Sequence, residues 1–239
     1  MFKTATKKIS WPPAALPTAS FNLEAYKKLN VVEQSCLIVA IMDRSGSMAP
    51  LANAATEGLH EFLVAQEAVE GDTYVTLVEF DTTITTVHAG AKLPVTKWIC
   101  NPGGGTRLVD ALGSTVDTVR REILTSDTRP ERVLVYVNTD GQENASMQWT
   151  TAQVKVIVEE MQGLGWDFVF VGAGINAWDQ AAGLGFKAAN TISHAADSDT
   201  LYHNHAHVSA AYAGSRTTNT VADMSGIAGS HANQDENNS

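Results

Sequence analysis

Cys36-Leu37-Ile38-Val39-Ala40-Ile41-Met42, followed at once by Asp43-Arg44-Ser45-Gly46-Ser47, decides how this chain folds. A near-continuous apolar run of this length suits a parallel β-strand buried on both faces. The residues behind it put a carboxylate and two hydroxyls on a tight turn at the strand's carboxyl end. Gly103-Gly104-Gly105-Thr106 opens a later helical pattern, and Thr139-Asp140-Gly141 ends another apolar strand. Asp43, Ser45, Ser47, Thr106 and Asp140 thus form an all-oxygen set from three loops. Such a set suits a hard divalent ion, Mg²⁺ or Mn²⁺, because Mg²⁺ takes one or two carboxylates with hydroxyls, keeps several waters, and leaves room for an outside ligand.

Outward from that strand, the apolar spacing gives the element order. Residues 1–30 form a Pro-interrupted arm, with a short helix from Asn22 to Leu29 capped by Asn22. Leu51, Ala55, Leu59, Phe62, Gln66 and Val69 recur at helical spacing before Gly71. Tyr74 to Phe80 is the second strand, and the more polar Thr83 to His88 fits an edge strand joined by a hairpin around Asp81-Thr82. Leu108, Leu112, Val116, Val119 and Ile123 line the next helix, and Arg132 to Asn138 is a buried strand. A helix through Val154, Ile157, Val158 and Met161, a strand over 167–171, a helix over 177–184 and a strand over 188–192 follow. Leu201, His205, Val208 and Tyr212 mark a last helix. Strands alternating with helices predict an α/β, Rossmann-like, doubly wound and mainly parallel sheet with one antiparallel edge strand and helices on both faces. The domain is expected over 31–213, and 214–239 is polar enough to remain a disordered tail.

D-x-S-x-S, a distant Thr after a Gly-rich turn and a distant Asp in T-D-G, each at a strand end, resemble the metal-ion-dependent adhesion site of von Willebrand factor type A domains. The resemblance covers roughly residues 36–192 and implies that Ser45, Ser47 and Thr106 coordinate the ion directly or nearly so. Asp43 and Asp140 then act largely through water, and one position stays free for a partner's carboxylate. In the family the corresponding Thr moves onto the ion when ligand arrives. Gly165-Trp-Asp-Phe-Val-Phe-Val-Gly-Ala-Gly174, with Asn176, Ala177 and Gly185, further resembles small free-standing bacterial and phage members.

The net charge of −10 excludes nucleic acid as a partner, since phosphate needs a basic face. No run approaches the roughly 18 apolar residues of a membrane span, and Pro12, Pro13 and Pro17 stand where a secretory signal would be apolar. Cys36 and Cys100 read as free thiols of a reducing compartment, so a cytoplasmic location is expected, with a virion-associated one as the alternative. Ser45 occupies the place of the second carboxylate in the D-x-D of haloacid-type phosphatases, and no nucleophile and base can be assembled by spacing, so an enzyme is not expected. Gly172 to Ala177 matches G-x-G-x-x-A, but after the wrong strand for a dinucleotide fold.

Simpler readings stand beside the functional ones. Asp43, Ser45 and Ser47 form a hydrogen-bonded turn in any case. Glu79 and Asp81 either tune the ion through water or merely build the hairpin. His203 and His207 would share a helix face suited to Zn²⁺, but they lack a third ligand; a polar helix face with His205 turned inward is the plainer account. The expected function is ion-dependent capture of a protein's Asp or Glu. The second reading is an assembly protein that packs through arm and tail, and genomic neighbourhood, a ring-forming ATPase or virion genes, separates the two.

Overall fold

The protein is described here from a computed structural model, which covers residues 21–173, 177–195, 197–220 and 222–226. Most of the proposed arm and the end of the proposed tail lie outside these residues. In chain order the elements are α1 (Leu23–Lys27), β1 (Asn30–Asp43), α2 (Ala52–Glu67), β2 (Asp72–Phe80), β3 (Ile84–Lys92), α3 (Leu108–Leu124), β4 (Thr128–Thr139), α4 (Thr151–Gly163), β5 (Asp167–Ala173), α5 (Ala177–Gly183), β6 (Thr191–His194) and α6 (Ser198–Thr218). The sheet runs β3-β2-β1-β4-β5-β6, parallel throughout except for β3, which is antiparallel to β2.

Alternation along the central strands explains the layers. Leu37, Val39, Ile41, Val133, Val135 and Val137 point to one face, where α3, α4 and α5 cover them. Cys36, Ile38, Ala40, Met42, Leu134 and Tyr136 point to the other, under α2 and α6. Both faces are dry, and each fully buried Ile, Leu or Phe contributes about 1.5–3 kcal/mol. The chain leaves β1 toward β2 on one side and β4 toward β5 on the other, so the connections diverge at the β1/β4 pair. A crevice forms outside the carboxyl ends of strands at such a point. Asp43 ends β1, and Asp140 follows β4.

Several elements differ from the sequence expectation. β1 starts at Asn30, not at residue 36, because Glu33-Gln34-Ser35 belongs to a bulge opposite β4 with Gln34 at φ 56°. A polar bulge interrupts the apolar pattern while the strand continues. Residues 188–190 form a 3₁₀ turn, so β6 covers 191–194. The helix expected from residue 51 is preceded by a 3₁₀ turn over Gly46–Leu51 that contains Pro50. Both cysteines are free and buried.

The two ends of the domain also reach further than the 31–213 span. Tyr26 of α1 is buried in the core, and its hydroxyl accepts a hydrogen bond from Trp166 Nε1 at 2.7 Å. α6 continues to Thr218; its Arg216 donates to Gln66 O at 2.9 Å and to Thr73 Oγ1 at 2.8 Å. Ala222 and Met224 are buried against the α2/α6 face. No helix among the described residues is long and apolar enough to cross a membrane. Truncation after Ser215 should therefore lower the melting temperature by several degrees, since loss of a buried Met alone costs about 2–5 kcal/mol. Thermal denaturation of the shortened protein checks this, with Met224→Ala expected to reproduce part of the loss.

Candidate metal centre

Ser45 is the extended residue between the end of β1 and the 3₁₀ turn, with φ −60° and ψ 167°. Its N–H donates to Asp43 Oδ1 at 2.6 Å, which is the hydrogen-bonded turn expected of Asp followed by Ser. The arrangement does not stop there. Ser47 Oγ donates to Asp140 Oδ1 at 2.7 Å, joining the β1 loop to the β4 loop. Ser45 and Ser47 hydroxyls lie 3.1 Å apart, and since the Ser47 proton is engaged by Asp140, Ser45 is the donor. Thr139 Oγ1 donates to Asp43 Oδ2 at 2.5 Å.

Thr106 completes the group. Gly141 stands between it and Asp43, and a Cβ at that position would lie 2.7 Å from Thr106 Oγ1 and 3.5 Å from Asp43 Oδ2. Only glycine lets the three groups approach. Hydrogen bonds thus link Asp43, Ser45, Ser47 and Asp140 in one chain at the carboxyl ends of β1 and β4, and Thr106 lies beside Gly141 at the same end. Asp43, Ser45 and Thr106 are buried, Asp140 is half-buried, and Ser47 is exposed on the open side.

Three loops are interlocked to hold them. Gly46 N donates to Gly104 O at 3.1 Å, and Gly103 N to Arg44 O at 2.8 Å. Thr106 is clamped by its backbone: its N–H donates to Asn144 Oδ1 at 2.9 Å, and its carbonyl accepts from Asn144 N and Ala145 N. The Asn144 loop is fixed in turn by Asp110, a buried carboxylate that accepts from the N–H groups of Met147, Gln148 and Trp149 and pairs with Arg107. Glu143 accepts from Val109, Ala145 and Ser146 N–H groups. Asn144, Asp110 and Glu143 were not singled out from sequence, because a hydrogen bond to a distant backbone group leaves no periodic signal.

The electrostatics decide what the group can hold. Arg44, next to Asp43 in sequence, turns away and pairs with Glu79 at 3.4 Å and Asp81 at 3.0 Å. Asp81 also accepts from Thr83 N–H at 2.5 Å and Thr83 Oγ1 at 2.8 Å, so Glu79 and Asp81 are engaged in the hairpin and its arginine. Among the described residues no Lys or Arg pairs with Asp43 or Asp140. Burial pushes the Asp43 carboxyl up to about 6 and raises that of Asp140. Two converging carboxylates and three hydroxyls without a protein cation fit a hard divalent ion. His203 and His207 are exposed and His205 is buried, and among the described residues no three His, Cys, Asp or Glu side chains cluster as a further metal site.

With fold and site in hand, comparison with known proteins is informative. No protein-family model matches the chain, and no curated protein matches it significantly. Solved structures do. Proximal thread matrix protein 1 from the mussel byssus is similar at 14% identity and TM-score 0.55, over 73% of this chain and 45% of that one. The same mussel protein with a zinc-occupied metal-ion-dependent adhesion motif gives 14% and 0.52, over 74% and 46%. The ArnB paralog VWA2 from Sulfolobus acidocaldarius gives 13% and 0.51, over 72% and 44%. The chain spans just under half the length of these structures. The likeness is one of fold: the chain has an α/β fold like that of von Willebrand factor type A domains.

The raised Asp43 carboxyl has a definite pH consequence. Below its unfolded value near 3.8 the group is protonated in both states; as pH rises toward about 6, the ion-free fold loses stability because it resists giving up the proton. That loss is on the order of 3 kcal/mol, and Asp140 adds to it in the same direction. In excess chelator, wild-type protein should lose melting temperature between about pH 4 and 6 relative to Asp43→Asn, and added Mg²⁺ should restore it increasingly as pH rises.

Proposed function

We propose that the chain is a divalent-cation-dependent protein-binding module that acts by binding and not by catalysis. The observation that carries this reading is the Asp43–Ser45–Ser47–Thr106–Asp140 group, a converging oxygen set at the open end of the sheet with no protein cation to neutralise its carboxylates. Asp43, Ser45, Ser47, Thr106 and Asp140 would hold the ion, Mg²⁺ or Mn²⁺. When bound, the ion supplies a Lewis-acidic, positively charged contact for an anionic oxygen. Zinc in the equivalent motif of the mussel protein supports metal binding as such, and leaves the physiological ion to experiment.

The chain's own residues prepare that contact. Asp43 and Asp140 supply two negative charges and the three hydroxyls none, so a divalent ion is offset without a surplus that would repel an acidic partner. Ser47 and Asp140 lie on the accessible side, whereas Asp43 and Thr106 form the floor. Met147 is 83% exposed and Ile99 53% exposed on the loops that bracket the group, which gives a partner's apolar side chains somewhere to rest beside its Asp or Glu. Such a binding role, in the cytoplasm or on a virion, asks for a protein partner and neither nucleic acid nor membrane.

The test has two parts. Calorimetry on chelated protein should show uptake of one Mg²⁺ or Mn²⁺, which folded Asp43→Ala and Asp140→Ala proteins should lose; uptake equal to wild type in both would exclude this site. Thr106→Ala keeps the backbone clamp and removes the hydroxyl together with the γ-methyl. It should spare much of the cation affinity while weakening capture of an acidic-loop partner, and chelator should abolish that capture. Undiminished partner binding in excess chelator would overturn the ion as the contact.

A further inference from the structure

His194 ends β6 and is 4% exposed, yet its Nε2 is buried without a hydrogen-bond partner among the described residues. Its other ring nitrogen is engaged: Nδ1 lies 2.6 Å from Ala195 O. A carbonyl oxygen only accepts, so Nδ1 carries the proton and Nε2 presents a lone pair. Leaving a buried acceptor unpaired is costly, and a fold retains one where something else satisfies it. Fixing the tautomer through one nitrogen while leaving the other free is the arrangement by which proteins aim an imidazole at a metal or its water shell.

Sheet register shows what it faces. Asn138 pairs with Val171 and Thr139 with Gly172, so Asp140 comes level with Ala173, and Ala173 pairs with His194. Val171 and Ile192, two residues earlier on their strands, both face the α2/α6 layer, as does Asn138 through its bond to His205. Ala173 and His194 are thus paired at the carboxyl edge of the sheet, and Asp140 directly follows the last β4 residue paired with β5, so Asp140 and His194 stand at the same edge two strands apart. Strands are spaced about 4.8 Å apart, which puts the outer backbones about 10 Å apart. A carboxylate, an imidazole and one water span that gap. The two side chains are close enough to influence each other's ionisation, and burial keeps the imidazole neutral by holding it below its ordinary range.

We propose that His194 is a positioning residue of the cation site, its Nε2 accepting a hydrogen bond from a water in the ion's shell on the Asp140 side. The inference rests on the reading that the five-residue group holds a divalent cation. Direct ligation is not required: among the described residues no three such side chains are close enough to share an ion. Water on a divalent cation is a stronger donor than bulk water, and the lone pair of His194 is placed to receive it. Removing this acceptor leaves the carboxylates and hydroxyls intact, so the expected loss is partial and confined to ion affinity.

Titration of the full chain with Mn²⁺ tests this, using wild type, His194→Leu, His194→Gln and Asp43→Ala, with melting temperatures measured in chelator as the folding control. Loss of an outer-shell partner typically costs 10- to 100-fold in metal affinity. His194→Leu should weaken Mn²⁺ by about tenfold or more, and His194→Gln, whose side-chain carbonyl can still accept, should recover most of it. If the Leu protein does not fold, His194→Asn, polar but too short to reach, replaces it. Mn²⁺ binding by His194→Leu or His194→Asn equal to wild type, or a Gln protein as weak as they are, overturns the role of His194. If Asp43→Ala loses the ion while those proteins keep it, only this inference falls; if Asp43→Ala also binds normally, the site itself is wrong.

Discussion

Two carboxylates, Asp43 and Asp140, are held at the ends of neighbouring parallel strands with nothing positive between them, and the surrounding architecture answers to that constraint. Taking charge out of water costs several kcal/mol per group unless it is paired or neutralised. The fold meets part of the cost with hydroxyl and N–H donors: Ser45 N–H and Thr139 Oγ1 on Asp43, and Ser47 Oγ on Asp140. The remainder appears as carboxyls whose proton affinity rises with burial. A nearby arginine would have removed the problem, and Arg44 is adjacent, but Glu79 and Asp81 hold it on the other side of the loop. The site is thereby kept electronegative, as the proposed cation site requires.

Holding such groups in place requires loops that do not relax. The Asp43 and Gly103 segments are cross-linked by backbone hydrogen bonds, Thr139 is tied to Asp43 through its hydroxyl, and the Asn144 segment is tied to α3 through two acidic side chains that accept N–H groups in place of water. Asp110 is the more important of these. Its carboxyl lies below the ordinary range despite burial, because backbone donors and Arg107 outweigh the desolvation. The same molecule therefore holds a saturated buried carboxylate as a rivet and an under-satisfied one at the proposed binding site. Number of donors, not depth, separates the roles.

Most of the fold was legible because parallel strands buried on both faces write long apolar runs, as Cys36–Met42 and Val133–Val137 do, and because amphipathic helices such as α3 repeat at regular spacing. Element ends were not. The β1 bulge hides behind polar Glu33-Gln34-Ser35, and the 3₁₀ turns at residues 46–51 and 188–190 have no period of their own. The five oxygen donors could be listed from sequence, since each sits in a short pattern after a strand or glycine turn. The brace on Thr106 could not, because Asn144 matters only through a long-range contact. Glu79 and Asp81 show the limit from the other side: sequence left their role open, and the direction taken by one arginine settled it.

Beneath the site, a second polar group explains why α6 belongs to the domain. Tyr136 OH and Asn138 Nδ2 lie 2.8 and 3.1 Å from the two nitrogens of His205, which is fully buried on α6. His205 can come so deep only because Gly58 on α2 leaves room; a Cβ there would lie 2.4 Å from the imidazole. Burial drives His205 down to about 3, so it stays neutral and acts as a fixed hydrogen-bonding plug at physiological pH. Asn138 lies two residues before Asp140 on the same strand face. The register of α6 on the sheet is consequently specified at the strand position just before the proposed cation site, by polar contacts that a slipped helix would lose. An apolar contact would have held α6 as tightly, but it would have left open where along β4 the helix sits.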